Sequence, residues 1–288
     1  VAAAAEAPRT SLAADFWRRL AKKPLAVAGG LFVLLMAALA ILASVLAPYD
    51  PSALDFSAQL APPSAAHWLG TDDLGRDILS RMMYGARISL SVGFVAVGIA
   101  IAIGIVLGGI AGYYGGRVDQ FIMWLVDVML VFPSMFLILA VIAFVGPSLF
   151  NIMAIIGLTG WMGVTRLVRA EFLALREREF VAAVRAQGAR DFRIIFRHIL
   201  PNAMAPVLVS ATFGVAGAIL TESALSFLGI GVPPPKATWG SLLSDGKAMI
   251  EVAWWLTVFP GLAIFVTTLA YNLLGEGIRD VLDPRLRV

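Results

Sequence analysis

The side chains able to do chemistry are few in this sequence and stand far apart. His67 and His198 are too distant in sequence to form a local metal motif, and the absence of cysteine excludes disulfide and thiol chemistry. The glycines from Gly109 to Gly116 lack the Lys-Ser/Thr ending of a phosphate-binding loop, so the chain has no ATP-hydrolysis centre and its own catalytic residues number none. Asp72, Asp73 and Asp77 lie beside Arg76 and Arg81, a mixed acidic and basic surface rather than a cage of converging oxygen ligands. Asp127 and Glu222 fall inside apolar runs, where a lipid-facing carboxylate is costly. Each is expected to face other helices or an aqueous path, either as a structural partner or as part of a solute route. Asn151 and Trp161 are further candidates for such a route, against plainer roles in helix hydrogen bonding and interface anchoring.

The elements that must position these groups are membrane helices. Of 288 residues, 60% are hydrophobic and only 14% charged, too apolar for a soluble domain, which needs a polar exterior. The formal charge of +3 is too small an excess for nucleic-acid binding. Leu25 to Leu46 is a continuous apolar run that would extend about 33 Å as a helix, enough for a hydrocarbon core of about 30 Å. Arg18, Arg19, Lys22 and Lys23 precede it, as in a signal peptide, but its length and the hydrophobic segments that follow favour a retained anchor.

Further spans are expected at about Ile88 to Ile110, Gln120 to Val145, Leu149 to Val164, Ala203 to Leu220 and Val252 to Leu274. Pro133 should kink or break the third, and Pro260 should disturb the last. Gly98, Gly104, Gly108 and Gly112 give the second span a small-residue spacing, read either as close helix contact or as ordinary tolerance of glycine. Nothing resembles the regularly alternating short strands of a β-barrel, so the fold class is an all-α membrane bundle of about six helices.

Charge placement orients the bundle. Seventeen of the 22 Lys/Arg residues fall in the N-terminal tail, the loop after span two, the loop after span four and the C-terminal tail. That side should be cytoplasmic. The expected organisation is a cytoplasmic tail over 1–24, a first transmembrane helix over 25–46 and an extracytoplasmic connection over 47–87. A core with five more spans over 88–275 and a cytoplasmic tail over 276–288 complete it. Residues 1–11, rich in alanine, are expected to be mobile or ordered only by a partner.

The charged interruption between spans four and five, 166–202, is the most informative stretch. Phe180, Val184 and Gln187 follow helical spacing while Arg178 and Arg185 fall on another face, which predicts a short helix ending near Gly188. On the residues alone this is an amphipathic hairpin that either packs at the interface or docks a soluble partner.

Ala182, Ala183, Val184 and Gly188, followed by His198, Leu200 and Pro201, resemble the coupling-loop motif of bacterial ABC importer permeases. The motif reads Glu-Ala-Ala, three residues, Gly, nine residues, Ile, one residue, Leu-Pro. Here Ala182 replaces the glutamate, Val184 the second alanine and His198 the isoleucine, while the spacing is kept. Phe196 to Asn202 resembles the peptide-importer branch. So do Leu69 to Arg81, Trp17-Arg18-Arg19 with Lys23 to Ala26, and Thr221 to Gly231 with Pro233-Pro234-Pro235 and Trp239-Gly240. Together these blocks are similar to the C-type subunit of the dipeptide, oligopeptide and nickel importers.

The resemblance implies a type I ABC importer permease fold and a bacterial inner-membrane location. It also implies partners: a second homologous permease, two ATPase subunits carrying ATP and Mg, an extracytoplasmic substrate-binding protein and a peptide substrate. A nickel complex or another small solute is the alternative cargo. An ion-coupled secondary transporter, needing no ATPase, is disfavoured by the loop. The coupling candidates are Arg178, Glu179, Phe180, Ala182, Ala183, Val184, Arg185, Gly188 and Pro201, with Phe180 and Val184 as the apolar contacts. Arg178 and Arg185 are either polar contacts or solubilising residues.

Overall fold

The computed structural model describes residues 12–282, and the expectation for residues 1–11 lies outside them. The described residues form helices joined by turns. A short α1 (Leu12–Leu20) leads through Lys23 into α2 (Pro24–Ile41), where proline occupies the first turn, a position whose amide has no helical partner. A single turn, α3 (Ala43–Leu46), ends at the outer segment, whose 3-10 turn spans Phe56–Ala58. Exposed Leu25, Leu31, Leu34 and Ile41 give α2 the apolar exterior of a lipid-facing helix.

The central mast is α4 (Ile78–Tyr114), 37 residues long. It begins ten residues before the expected Ile88, because Asp77 caps its first turn by accepting from the Ser80 amide at 2.8 Å and the Ser80 hydroxyl at 2.7 Å. Gly115 turns the chain into α5 (Gly116–Val131), and Phe132-Pro133 separates it from α6 (Ser134–Val145) with a bend of 84°. The expected third span is therefore a broken one.

After Gly146, α7 (Leu149–Leu158) and α8 (Trp161–Arg176) continue the fourth span to Arg176, well beyond Val164. Next come α9 (Glu179–Ala186), the single turn α10 (Asp191–Arg193) and a π-helical stretch, Ile194–Ile199, that feeds α11 (Leu200–Phe227). An outer helix, α12 (Trp239–Lys247), precedes α13 (Trp255–Leu282), which contains Pro260 and continues as helix through 276–282; the rest of the expected tail, 283–288, lies outside the described residues. Among the described residues, five helical stretches are long and apolar enough to cross a membrane, or six if the bent α5–α6 pair counts as one.

Packing centres on α4, which lies against α8, α11, α7 and α2, while α13 joins α2, α11 and α12. The glycine spacing of α4 is used against α8. A Cβ on Gly104 would stand 2.5 Å from Val164 Cγ1, and one on Gly112 2.6 Å from Phe172 Cβ, so these backbones approach as only glycine permits. Gly98, by contrast, faces open space.

Candidate functional site

Three places carry the functional candidates: the end of the bundle at α9, a cavity at mid-span, and a polar knot at the opposite end.

The α9 helix ends as its sequence predicts. Gly188 has φ +79°, its amide donates to Arg185 O at 3.0 Å, and the Ala189 amide donates to Val184 O at 3.3 Å. This pair of bonds is the Schellman arrangement, which requires a left-handed residue at Gly188. The inward face is Val181, fully buried with Phe172, Ile194 and Ile199, assisted by half-buried Val184. Val184 is half-buried against the bundle, and Val181 is the fully buried anchor of this face. Glu179, Ala182, Ala183 and Ala186 form the opposite, exposed stripe, with Phe180 39% exposed beside it. Arg178, the N-cap residue, is exposed, as is Pro201, which opens α11. Phe192 and Phe196, also exposed, stand with ring centroids 4.5 Å apart.

Polar bonds tie this end to the mast. The Tyr113 hydroxyl donates to Asp191 Oδ1 at 2.6 Å, and the Arg185 guanidinium lies 5.9 Å from the Tyr113 ring centroid. Arg176 Nη1 donates to Gly112 O at 3.1 Å, across the end of α4. Arg169 Nη2 donates to Asp119 Oδ2 at 2.6 Å, and Arg166 pairs with Asp127. Asp127 therefore meets a neighbouring helix through an ion pair, with its side chain 63% exposed in the isolated chain.

The mid-span cavity encloses about 310 Å³ and draws its wall from α4, α6, α7, α8 and α11. Its polar groups are the hydroxyls of Ser134, Thr159, Ser210 and Thr221, and no lining residue is charged. The other route candidates lie elsewhere. Trp161 is buried against Val126 and Met162, and Asn151 Nδ2 donates to Gly146 O at 3.0 Å and Val145 O at 3.2 Å, closing the turn before α7. Glu222 is fully buried: Ser226 donates to its Oε1 at 2.7 Å, while Oε2 has no hydrogen-bond partner among the described residues. Its neighbour Thr221 is the residue on the cavity wall.

At the far end, the expected mixed-charge surface is largely interior. Asp72 accepts from the amides of Leu74 and Arg76 at 2.9 Å, from Arg76 Nε at 2.7 Å, and from Arg81. Asp77 accepts from His67 Nδ1 at 3.0 Å besides capping α4. Trp255 Nε1 donates to Thr71 O at 3.0 Å, which fixes the knot to α13. The correction follows from arithmetic of charge: two carboxylates and two guanidinium groups with this many short-range bonds can leave water together, as single ones cannot. Only Asp73 and Asp245 remain about half exposed. Burial pushes the Asp245 carboxyl up, against the pull of Arg81, whose Nη2 stands 3.5 Å away. No cluster among the described residues has the donors to hold a metal ion.

A broken-span bundle with an uncharged central cavity and a short helix presented at one end is the architecture of a multi-helix membrane protein. Solved inward-facing structures of the MetNI methionine ABC transporter share the fold, with a TM-score of 0.52 at 18% identity over 67% of this chain and 94% of that one. The family described as binding-protein-dependent transport system inner membrane component matches residues 104–288, and the N-terminal TM domain of oligopeptide transport permease C matches residues 11–63. The chain belongs to this family of inner-membrane permease subunits, which work in multi-subunit ABC importers. It is 45% identical to the dipeptide transport system permease protein DppC of Alkalihalophilus pseudofirmus, over 95% of this chain and 90% of that protein. It is 43% identical to the glutathione transport system permease protein GsiD of Pectobacterium atrosepticum, over 95% and 91%. Identity to the oligopeptide transport system permease protein OppC of Bacillus subtilis is 40%, over 96% and 91%.

Proposed function

We propose that this subunit, with a second homologous permease, forms the path for dipeptides or oligopeptides through an ATP-driven importer. The relatives named for dipeptide, glutathione and oligopeptide transport support a peptide cargo, since each of those solutes carries a peptide linkage. Two ATPase subunits supply the ATP and Mg chemistry, and an extracytoplasmic binding protein delivers the solute. The excess of Lys/Arg around α9 supports a cytoplasmic location for that end.

The observation that carries the reading is the build of α9. Its inward face is fixed by Val181 and its C-terminus by Gly188, while the alanine stripe is left open to a partner. A helix held this way moves as a rigid lever, and Tyr113 joins its surroundings to α4 through the Arg185 guanidinium over its ring and the hydrogen bond to Asp191. Phe180, Phe192 and Phe196 supply exposed aromatic surface for an ATPase groove. The test is reconstitution of the full complex in proteoliposomes. ATP-dependent peptide uptake that stops with hydrolysis-dead ATPases is expected; undiminished uptake with dead ATPases would sink the proposal.

A further inference from the structure

The mid-span cavity contains space and polar groups that this chain does not use for its own packing. Ala96, Val97 and Ala100 place it near the midpoint of α4, at a depth where hydroxyls are poorly served by lipid. Thr159 Oγ1 donates to Ile155 O at 2.9 Å and Thr221 Oγ1 to Gly217 O at 2.8 Å. With their donors spent on their own helices, both oxygens offer the cavity acceptor lone pairs only. Ser134 and Ser210 add hydroxyls without a partner among the described residues.

Four glycines line the same cavity, and they divide into two kinds. A Cβ on Gly214 would stand 3.1 Å from Val97 Cγ2, and one on Gly160 3.3 Å from Ile156 O, so packing accounts for both. A Cβ on Gly163 or Gly217 would meet nothing within 4 Å, and neither residue has a positive φ. Glycine weakens a helix interior relative to alanine, yet neither backbone nor packing calls for it at these two positions. The room they leave is not filled by this chain.

We propose that Gly163 and Gly217 set the width of the solute passage, and that the hydroxyls of Ser134, Thr159, Ser210 and Thr221 accept hydrogen bonds from the passing peptide's N–H groups. The amide role rests on the peptide reading above. With no charge on its wall, this half of the passage discriminates by bulk and not by side-chain charge.

The chain has no cysteine, so Gly163→Cys, Gly217→Cys and Gly98→Cys each carry one thiol. Gly98 also faces open space but lies off the cavity, which makes it the control. In the complete complex turning over in proteoliposomes, a membrane-impermeant methanethiosulfonate should label this chain at G163C and G217C about tenfold faster than at G98C. Equal labelling at all three positions, or protection of both cavity positions by the partner permease, overturns the passage role whatever solute is imported.

Uptake of alanyl-alanine and phenylalanyl-phenylalanine, both saturating the binding protein, then tests width. Gly163→Leu and Gly217→Leu should cut phenylalanyl-phenylalanine uptake about tenfold more than alanyl-alanine uptake, while Gly98→Leu, off the cavity, leaves both near wild type. Equal loss of the two peptides in assembled Leu variants overturns control by bulk. Failure of the wild-type complex to import either peptide sinks the peptide reading and the amide role together.

Discussion

The Tyr113 hydroxyl, at the last turn of α4, donates to the Asp191 carboxylate that opens the return path from α9 into α11. One hydrogen bond thus joins the longest helix of the bundle to the segment that follows the coupling candidate. Tyr113→Phe removes the donor and keeps the ring beneath Arg185. Because Asp191 is exposed, the loss should be about 1 kcal/mol, below the roughly 1.5–3 kcal/mol of hydrogen bonds to charged groups. ATP hydrolysed per peptide imported should rise while assembly is kept. An unchanged ratio would show that this bond carries no motion.

Gly188 tests the lever more sharply. Gly188→Val forces a β-branched residue to φ +79°, a cost of about 1–2 kcal/mol or more, and frays the end of α9. Gly188→Asn tolerates the left-handed conformation and should retain uptake. A Cβ there meets nothing within 4 Å, so the contrast isolates backbone conformation from packing. Normal ATPase stimulation in Gly188→Val would refute the importance of this geometry.

Val181 and Phe180, adjacent in sequence, should separate stability from docking. Val181→Ala empties part of a fully buried site and should lower stability by about 2 kcal/mol, read as a shift in the melting of the purified subunit. Phe180→Ala, on the exposed side, should leave melting unchanged and weaken association with the ATPases. Equal effects of the two changes on melting would contradict the assignment of faces.

These pairs also show what the sequence could and could not reveal. The spans and the α9 stop at Gly188 were legible because hydropathy, helical period and glycine conformation are local properties. The ends of α4 and α8 were not. Arg81 and Arg87 made the first turns of α4 look like loop, but Arg81 is answered by Asp72, and Arg87 Nε donates to Ala40 O at 2.9 Å. Arg166, Arg169 and Arg176 hid the continuation of α8 in the same way, their partners lying on α5 and at the end of α4. A charge reads as solvent-facing until its distant partner is known. The same limit applies to α9: period alone fixes which residues share a face, while the position of the bundle decides which face is inside.

The outer knot gives the last prediction, because Arg81 has two acidic neighbours of unequal weight. Its Nη1 binds Asp72, whose side chain is 2% exposed, and its Nη2 stands 3.5 Å from Asp245, 49% exposed. Arg81→Ala leaves Asp72 with Arg76 and two amides but one guanidinium short in a buried setting, and should cost up to about 3 kcal/mol, the low end for breaking a buried pair, seen as a lower melting temperature. Asp245 behaves oppositely. Its folded-state pKa is raised, so any stability it contributes is full below its unfolded value and is lost as pH rises through the folded one. At neutral pH the ionised carboxylate therefore adds nothing through this route, and its exposure makes the effect small. Asp245→Asn should melt at or slightly above wild type near pH 7, with the difference closing as pH falls below the ordinary carboxylate range. A loss of stability in Asp245→Asn comparable to that in Arg81→Ala would show that the two acids share Arg81 equally, and that Asp72 alone does not hold the knot.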